Sequence, residues 1–462
     1  MARTRTRNEL LAAVIREIGW SQEQTAAHFR VVATESGAIE LTSVTRSNIS
    51  QWILGSQPQP KAASILRETL SRGLRRGLTL AEIGLEDAGQ AEPDWSSDTT
   101  STLLELGDIE MDIGRRTALA TSAYSVAALG LPISAWWDTA AERAEQRRSR
   151  TNSTVTAADV DSVREMSAFF SQREQKRGGA DGRTALVAYL RNEVAAHLNR
   201  HAISEPVRRG LYSAAGEMAY LCGWTAFDTR EHHIAQHWFT LGVRLAAEAD
   251  DPALAGHILR AMAHQAADLG HGHQAVNLAT ASIERKRYTS AGPRERALIG
   301  VVHARALAAD GQRREALAAL RRAEDDLSAA DPDPGAEPSR VFFFGEASLA
   351  SQTAHTLTAL GDLKGAAEQF TRSVNTRRTK AFARTHSVTL GYLGSVQARQ
   401  GHLDAAIGTW GSALDAMAGI HSGRAKETVI QMRRSLSPYR NRGNRAATDL
   451  DTRARTLLSS VA

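Results

Sequence analysis

A glutamate and three histidines near the middle of the chain are of the types that bind metal ions or exchange protons. Glu231, His232, His233 and His237 include a histidine pair four residues apart, which would share one face of a helix. The spacing differs from that of metalloprotease and zinc-ribbon ligands. Histidines at helix ends and in loops usually cap or face solvent, so we expect no metal site here.

Other catalytic patterns are weak in this sequence. His271 and His273 form a second histidine pair with the spacing of a turn, and we find no phosphate-cradling glycine loop and no GxSxG motif. The single cysteine, Cys222, excludes an intrachain disulfide and is expected to be buried. The sequence therefore predicts a protein that is not an enzyme and needs no cofactor.

A different chemistry, the reading of DNA, fits a short polar-faced segment near the N-terminus. Residues 44–60 read VTRSNISQWILGSQPQP and predict a helix with an apolar inner face, ended by glycine and proline. Amides can pair with adenine edges, arginine with guanine or phosphate, and hydroxyls with phosphate. The residues on or beside the outer face that could make these contacts are Thr45, Arg46, Ser47, Asn48 and Gln51. Lys61 is a further candidate for a phosphate contact.

Three other helices are predicted to hold this segment in place. Residues 8–29 predict an amphipathic helix broken at Gly19 and Trp20, then a second helix capped by Ser21. Residues 63–74 predict a supporting helix. Residues 30–44 add roughly a dozen residues to the usual 3–4-residue turn between the second helix and the polar-faced one. We expect an extension of the second helix plus a surface loop.

Charge divides the first quarter of the chain. Residues 1–80 contain eleven Lys or Arg and six Asp or Glu, whereas residues 81–113 contain ten acidic residues and no Lys or Arg. This predicts a polyanion-binding head at residues 1–86 and a flexible acidic linker at 87–113. The alternative is that the basic residues are a solvated helical face.

A connecting helical segment is predicted at residues 114–150. Arg115 and Arg116 precede an apolar run that superficially resembles a twin-arginine export signal, but such signals begin within the first residues of a precursor. We interpret the run as an ordinary helix that starts near Arg115 and is stopped by Gly130 and Pro132. It is too polar to span a bilayer, so we expect no membrane contact and a cytoplasmic location.

The second half of the chain contains a repeated pattern of small residues. A glycine is followed five residues later by an alanine in four pairs: Gly270 and Ala275, Gly311 and Ala316, Gly361 and Ala366, Gly401 and Ala406. Small residues recur where two antiparallel helices would cross closely, and bulky ones recur at the position between hairpins. A weaker unit precedes these four. The pattern resembles a tetratricopeptide repeat, and it predicts an all-α chain whose residues 151–462 form a right-handed tetratricopeptide-like α-solenoid.

A solenoid of this kind presents a concave surface that can hold another molecule. In the tetratricopeptide register, positions 5 and 9 of the first helix of each hairpin tend to face that surface. The candidates for ligand contact at these positions are Tyr220, Trp224, Arg260, His264, Arg305 and His355. Aromatic and cationic groups together would suit a peptide or an acidic partner segment. Alternatively, these side chains line a hydrated groove or contact the head.

The two halves together resemble a known family. The head, including Gln22 and Ala26 and the run ISQWILG, resembles the helix-turn-helix of lambda-repressor-like regulators. The whole chain resembles actinobacterial regulators that join such a head, with an expanded turn, to a tetratricopeptide body, some of them associated with sporulation and antibiotic production. The likeness is carried by GWSQEQTAAHF, TRSNISQWILGSQP, LAEIGL and the run that opens the body at Val163.

This resemblance implies a transcriptional regulator that binds a double-stranded DNA operator. It also implies a homodimer and, by analogy with peptide-sensing regulators, a peptide or protein effector in the groove. Gln22 would belong to the DNA-contacting set. The alternative is a tetratricopeptide adaptor whose helical head does not bind DNA.

Overall fold

The computed structural model describes residues 6–36, 38–74, 76–85, 95, 97–112, 114–116, 124–132, 134–145, 153–202 and 204–460. Four helices form the head: α1 (Glu9–Ile18), α2 (Gln22–Glu35), α3 (Arg46–Ile53) and α4 (Pro60–Leu74). Gly19 ends α1 in the left-handed region, at φ 79°. Ser21 and Gln24 form a capping box that starts α2, as the sequence predicts.

The core of the head places α3 against α2 and α4. Phe29 and Ile49 are fully buried, and the Phe29 ring lies 5.6 Å from that of Trp52. The expanded turn consists of the extended end of α2 and a loop with a short 3-10 helix at Ile39–Leu41. This agrees with the expectation for residues 30–44. Ala38 in that loop is buried, so the insertion is packed onto the core.

The acidic segment is partly a helix, which corrects the prediction of a flexible linker at 87–113. Residues 86–94 lie outside the described residues, but α5 (Thr99–Met111) is helical and is capped by Asp98. Leu103 and Leu106 are buried against the body. The charge count misled because Glu110 is buried and forms an ion pair with Arg183 instead of facing water.

The connecting segment also differs from its prediction where it is described. Residues 117–123 lie outside the described part, and Tyr124–Leu129 contain only a 3-10 turn at Ala127–Leu129 instead of a continuous helix. Side chains replace the missing helical hydrogen bonds. The Ser125 N–H donates to Gln236 Oε1, and Gln236 Nε2 donates back to the Ser125 carbonyl. A helix, α6 (Ser134–Glu145), follows.

The body begins with α7 (Ala157–Arg177) and continues as helical hairpins. Strands β1 (Thr154–Val155) and β2 (His201–Ala202) form a short parallel pair. The helices between them and the end of the chain are α8 (Arg183–Tyr189), continued by a π-helix (Leu190–Val194) into α9 (Ala195–Leu198), α10 (Glu205–Asp228), α11 (His232–Glu248), α12 (Pro252–Asp268), α13 (Gly272–Ile283), α14 (Lys286–Thr289), α15 (Pro293–Ala309), α16 (Arg313–Ser328), α17 (Glu346–Ala359), α18 (Leu363–Thr376), α19 (Ala383–Arg399), α20 (Leu403–Ala416), α21 (Gly423–Arg440) and α22 (Arg445–Ser460).

The repeat pattern is confirmed as helix-hairpin packing, and the predicted all-α solenoid is observed. The hairpins are α10–α11, α12–α13, α15–α16, α17–α18 and α19–α20. The alanine of each of the four Gly–Ala pairs is fully buried. At Gly394 an added Cβ would lie 2.5 Å from the ring of Trp410, so only glycine fits this crossing. Cys222 is buried in the same core, as expected, and burial raises the pKa of its thiol.

Replacing Ala406 with leucine should overpack the α19–α20 crossing. Ala406 is fully buried, whereas its neighbour Ala405 is exposed. We expect Ala406→Leu to lower the free energy of unfolding by about 1–3 kcal/mol. Chemical denaturation of the two variants measures this, with Ala405→Leu as the matched control. Equal stability of the two variants would show that the two helices do not cross there.

The two ends of the solenoid contact each other. The His421 N–H donates to the Arg177 carbonyl at 2.7 Å, and the Ala180 N–H donates to the His421 carbonyl. Gly178 has a φ of 99°, and an added Cβ would lie 2.4 Å from the His421 oxygen. Because the loop after α7 meets the loop before α21, the concave side of the body is enclosed at this point.

Among the helices of the described residues, none is both long enough and apolar enough to serve as a membrane span.

Candidate DNA-contact face and effector cavity

The outer face of α3 presents a small polar surface. Arg46, Ser47 and Gln51 are exposed, as the sequence predicts, while Ile49 and Trp52 face the core. Arg46 forms no ion pair with any described residue. The face therefore offers a cation, a hydroxyl and an amide whose side chains are not bonded to the described residues of the head.

The side-chain oxygen of Asn48, a predicted base contact, is engaged within the head. Its Oδ1 accepts hydrogen bonds from the backbone N–H and the hydroxyl of Thr45, at 2.9 and 3.0 Å. Together they form the capping box that starts α3. Bidentate pairing with adenine needs this same oxygen, so the hydrogen bonds of the cap compete directly with it. Asn48 and Thr45 thus set the position of α3, and Gln51 remains the exposed amide.

Lys61 is likewise engaged within the head. Its Nζ lies 2.6 Å from Glu40 in the expanded turn, and this contact holds the pKa of the Glu40 carboxyl below its usual value. A phosphate contact by Lys61 would have to compete with that carboxylate. The ion pair instead fastens the inserted loop to the start of α4. Arg30 fastens its other end by donating to the Val44 carbonyl.

Gln22 lies half-buried at the first position of α2, next to the cap formed by Ser21. The structure also adds two residues that the sequence reasoning missed. Ser50 and Leu54 follow Ser47 at the helical spacing of three and seven residues, so they share its face. Leu54 is 57% exposed, which is unusual for leucine. Extending the periodicity of the outer face by one turn would have identified both.

A buried polar contact joins the head to the connecting segment, which in turn contacts the body. Glu68 of α4 is fully buried, accepts from the Val126 N–H at 2.9 Å and pairs with Arg72. Burial raises the pKa of this carboxyl to about 7 in spite of Arg72. In the same segment, the Tyr124 ring stacks on His271 of the body at 5.7 Å. The segment around Ser125 is therefore in contact with the head on one side and with α11 and the start of α13 on the other.

The concave side of the body contains a partly open cavity, with about 680 Å³ of empty space that includes open solvent at its mouth. Four of the six predicted groove residues line it: Trp224, Arg260, His264 and His355. The other two support these from behind. Tyr220 accepts a hydrogen bond from Arg260, and Arg305 donates to His264 at 3.1 Å. The register thus brings all six together, although most are buried instead of lying on an open groove.

Arg260 is held by a chain of hydrogen bonds. One guanidinium nitrogen lies 2.9 Å from His257 Nε2, and His257 Nδ1 lies 2.9 Å from Glu295. Burial, followed by the nearby Arg260, lowers the pKa of His257 to about 4, so this imidazole is neutral at pH 7. It can then donate from Nδ1 to Glu295 and accept at Nε2 from Arg260. Arg260 is therefore oriented without a direct carboxylate partner.

The cavity also contains functional candidates that the repeat register did not identify. They are Arg377, Arg384, Tyr392 and Arg424. Arg377 and Arg384 precede or begin α19, and Arg424 lies on α21 after the last repeat, so none of these arginines is at position 5 or 9. Of these three arginines, only Arg384 lies near the start of the first helix of a hairpin. A search at that position would therefore have missed Arg377 and Arg424.

The histidine cluster of the sequence does not assemble into a metal site. The Nε2 atoms of His233 and His237 lie 3.1 Å apart, but Glu231 turns away to Arg183 and Arg116. Within the described residues, no three His, Cys, Asp or Glu side chains are grouped to hold a metal ion.

Comparisons with known proteins concern mainly the head. Residues 11–86 match the family described as the SP15 N-terminal domain. A search of the curated proteins finds no match. Among solved structures, a Rap protein complexed with competence and sporulation factor is 12% identical, with a TM-score of 0.41. The alignment covers 66% of this chain and 98% of that chain, and this likeness is too weak to support a statement about ligands.

Proposed function

We propose that this chain is a cytoplasmic transcriptional regulator that acts by binding and not by catalysis. In this proposal the head binds double-stranded DNA as a homodimer, and the cavity of the body binds an effector. The observation that carries the DNA-binding half is the outer face of α3, on which Arg46, Ser47 and Gln51 are exposed and oriented by a packed helix. These groups have the chemistry of base and phosphate contacts.

The position of α3 supports the same proposal. The helix is eight residues long, is fixed at its start by the Thr45–Asn48 cap and is packed from behind through Ile49. The ion pair between Glu40 and Lys61 attaches the inserted loop to the start of α4, and the outer face of α3 stays exposed. A rigid helix with an uncommitted polar face is what major-groove recognition requires.

The contact between head and body supports a regulatory link. An effector in the body can change DNA binding only if it alters an element that contacts the head. The segment from Tyr124 to Val126 is such an element, because it contacts Glu68 on one side and Gln236 and His271 on the other.

A second candidate function is a protein-interaction adaptor. The exposed apolar side chains of the head favour it, since Leu54, Val31 and Ile39 are all more than half exposed. In this alternative the outer face of α3 binds a protein partner, and the head binds DNA only through non-specific electrostatic attraction.

The face of α3 provides the test. Arg46→Ala combined with Gln51→Ala should weaken sequence-specific DNA binding by roughly 1–3 kcal/mol per lost bidentate contact, with no change in melting temperature. Fluorescence anisotropy with a selected duplex measures this. Arg16→Ala, an exposed arginine of α1, is the matched control for charge. Undiminished affinity in the folded double variant would favour the adaptor.

A further inference from the structure

The cavity of the body has a large excess of positive charge. Its lining includes four arginines, namely Arg260, Arg377, Arg384 and Arg424, and no aspartate or glutamate among the described residues. Two of these are compensated from behind. Arg384 lies 2.7 Å from Glu174 and 3.6 Å from Asp228, and Arg424 lies 3.5 Å from Asp268. Burial raises the pKa of the Glu174 carboxyl even so, which reduces the negative charge it supplies near neutral pH.

The other two arginines have no carboxylate partner among the described residues. Arg260 is 1% exposed and is held by the Tyr220 hydroxyl and His257. Arg377 is 7% exposed and donates only to the Ala347 carbonyl and the Ser373 hydroxyl. The Nε atoms of both arginines are buried without a hydrogen-bond acceptor in the described structure. A buried guanidinium normally has a negatively charged partner, because its desolvation is costly.

The surroundings of Arg377 also indicate that it lacks a counterion among the described residues. Burial, and then the positive charge of Arg384, lower the pKa of Arg377 to about 10, in the direction expected for a cation that lacks a counterion. The side chain is nonetheless fixed at its tip by two hydrogen bonds. It is therefore positioned for an anion that the described residues do not provide.

The rest of the lining combines apolar side chains with polar ones, such as Gln352. Trp224, Phe343, Val388 and Tyr392 face the same cavity, close to the arginines. A guanidinium can hold a carboxylate through two parallel hydrogen bonds, while the rings accommodate an apolar group beside it.

We propose that this cavity binds an organic carboxylate, with Arg260 and Arg377 holding the carboxylate and the aromatic residues holding the adjoining apolar group. This binding would define the chemical class of the proposed effector, and its regulatory meaning rests on the proposed function. The carboxylate could belong to a small organic acid or to the C-terminus of a short peptide.

The test uses the full chain without DNA and measures binding by calorimetry and by thermal unfolding. The probes are phenylacetate for a small acid and glycyl-phenylalanine for a peptide terminus. Their neutral amides and inorganic phosphate are the comparisons. We expect saturable binding and a rise in melting temperature with at least one carboxylate probe, and neither effect with its amide. The probe that binds identifies the source of the carboxylate.

Arg377→Met separates a binding role from a structural one. Because it removes an uncompensated buried charge, the unliganded variant should melt no lower than the original chain, yet its affinity for the carboxylate should fall about tenfold or more, roughly the loss of one charge-assisted hydrogen bond. Arg372→Met, which removes an exposed arginine five residues earlier, is the control and should retain full binding.

Several results would overturn the inference. These are equal binding of the acids and their amides, no saturable binding of either acid, full binding by Arg377→Met, or a response to inorganic phosphate alone. Because the assay contains no DNA, its outcome is independent of the DNA-binding half of the proposed function. Carboxylate binding without operator binding would leave this inference standing and reject the regulator.

Discussion

Replacing Arg183 with methionine is expected to destabilise the protein by about 3–5 kcal/mol, because it removes the nearest counterion of the buried Glu110 carboxylate. Arg183 is 3% exposed and pairs with Glu110 of α5 at 2.7 Å and with Glu231, the residue before α11. Glu110 is 2% exposed in its side chain and also accepts from the Trp238 indole N–H. Removal of the guanidinium would therefore strand a charge deep in the core.

Helix α5 also provides a matched control at the protein surface. Arg191 pairs with Asp108 of α5, but both side chains are more than one-third exposed. Arg191→Met should cost only about 0–1 kcal/mol, since a solvated ion pair contributes little. Denaturant unfolding of the two variants measures the difference. Similar losses in the two would mean that α5 is not anchored through Glu110.

Acidification from pH 6.5 to pH 4 should produce the second large loss of stability. Burial lowers the pKa of six histidines of the body to about 3 or about 4: His232, His237, His257, His264, His271 and His303. A lowered folded-state pKa means that the unfolded chain takes up the proton first. The stability contributed by each neutral imidazole is therefore present above pH 6.5 and is lost as the pH falls through the folded-state pKa, about 3 kcal/mol for a shift of 2.5 units.

Three buried carboxyls act in the opposite direction. Burial raises the pKa of Glu217, and it raises that of Glu68 and of Glu174 to about 7, so the folded state holds these protons first and gains stability as the pH falls towards about 4.5. The imidazoles with a lowered pKa outnumber these carboxyls, and we expect a net fall in melting temperature between pH 6 and pH 4.

A single histidine variant tests this assignment. In His257→Gln, the free energy of unfolding should depend less steeply on pH below pH 6.5, by about one proton. The reason is that glutamine can bond Glu295 and Arg260 without titrating. His273→Gln, at an exposed site, should leave the pH profile unchanged. If the profile of His257→Gln matches that of the original chain, His257 is not a neutral buried group.

Much of the fold could be predicted because its causes are local. The small residues at hairpin crossings recur at nearly constant spacing, so Ala275 and Ala406 identified the body without any long-range information. The caps at Ser21 and Gly19 are equally local signals. The failures involve partners far apart in sequence. The acidic composition around Glu110 predicted a linker, since nothing near it in the chain reveals Arg183.

The candidate sites follow the same division. Helical periodicity placed Gln51 and Arg46 on an exposed face, and the repeat register placed Trp224 and Arg260 on the concave side. Periodicity could not show that Asn48 is used in the cap of α3 or that Lys61 pairs with Glu40. The contribution of Arg377 to the cavity depends on how the superhelix curves, and the register of one repeat does not contain that information.

Selection of duplexes from a random pool by the full chain tests the central claim most directly. The account predicts enrichment of a motif with two-fold symmetry, an affinity that falls steeply with salt, and loss of the enrichment in the Arg46→Ala, Gln51→Ala double variant. A pool that shows no enriched motif, with weak retention that does not depend on the face of α3, would contradict the assignment of the head as a sequence-reading DNA-binding domain.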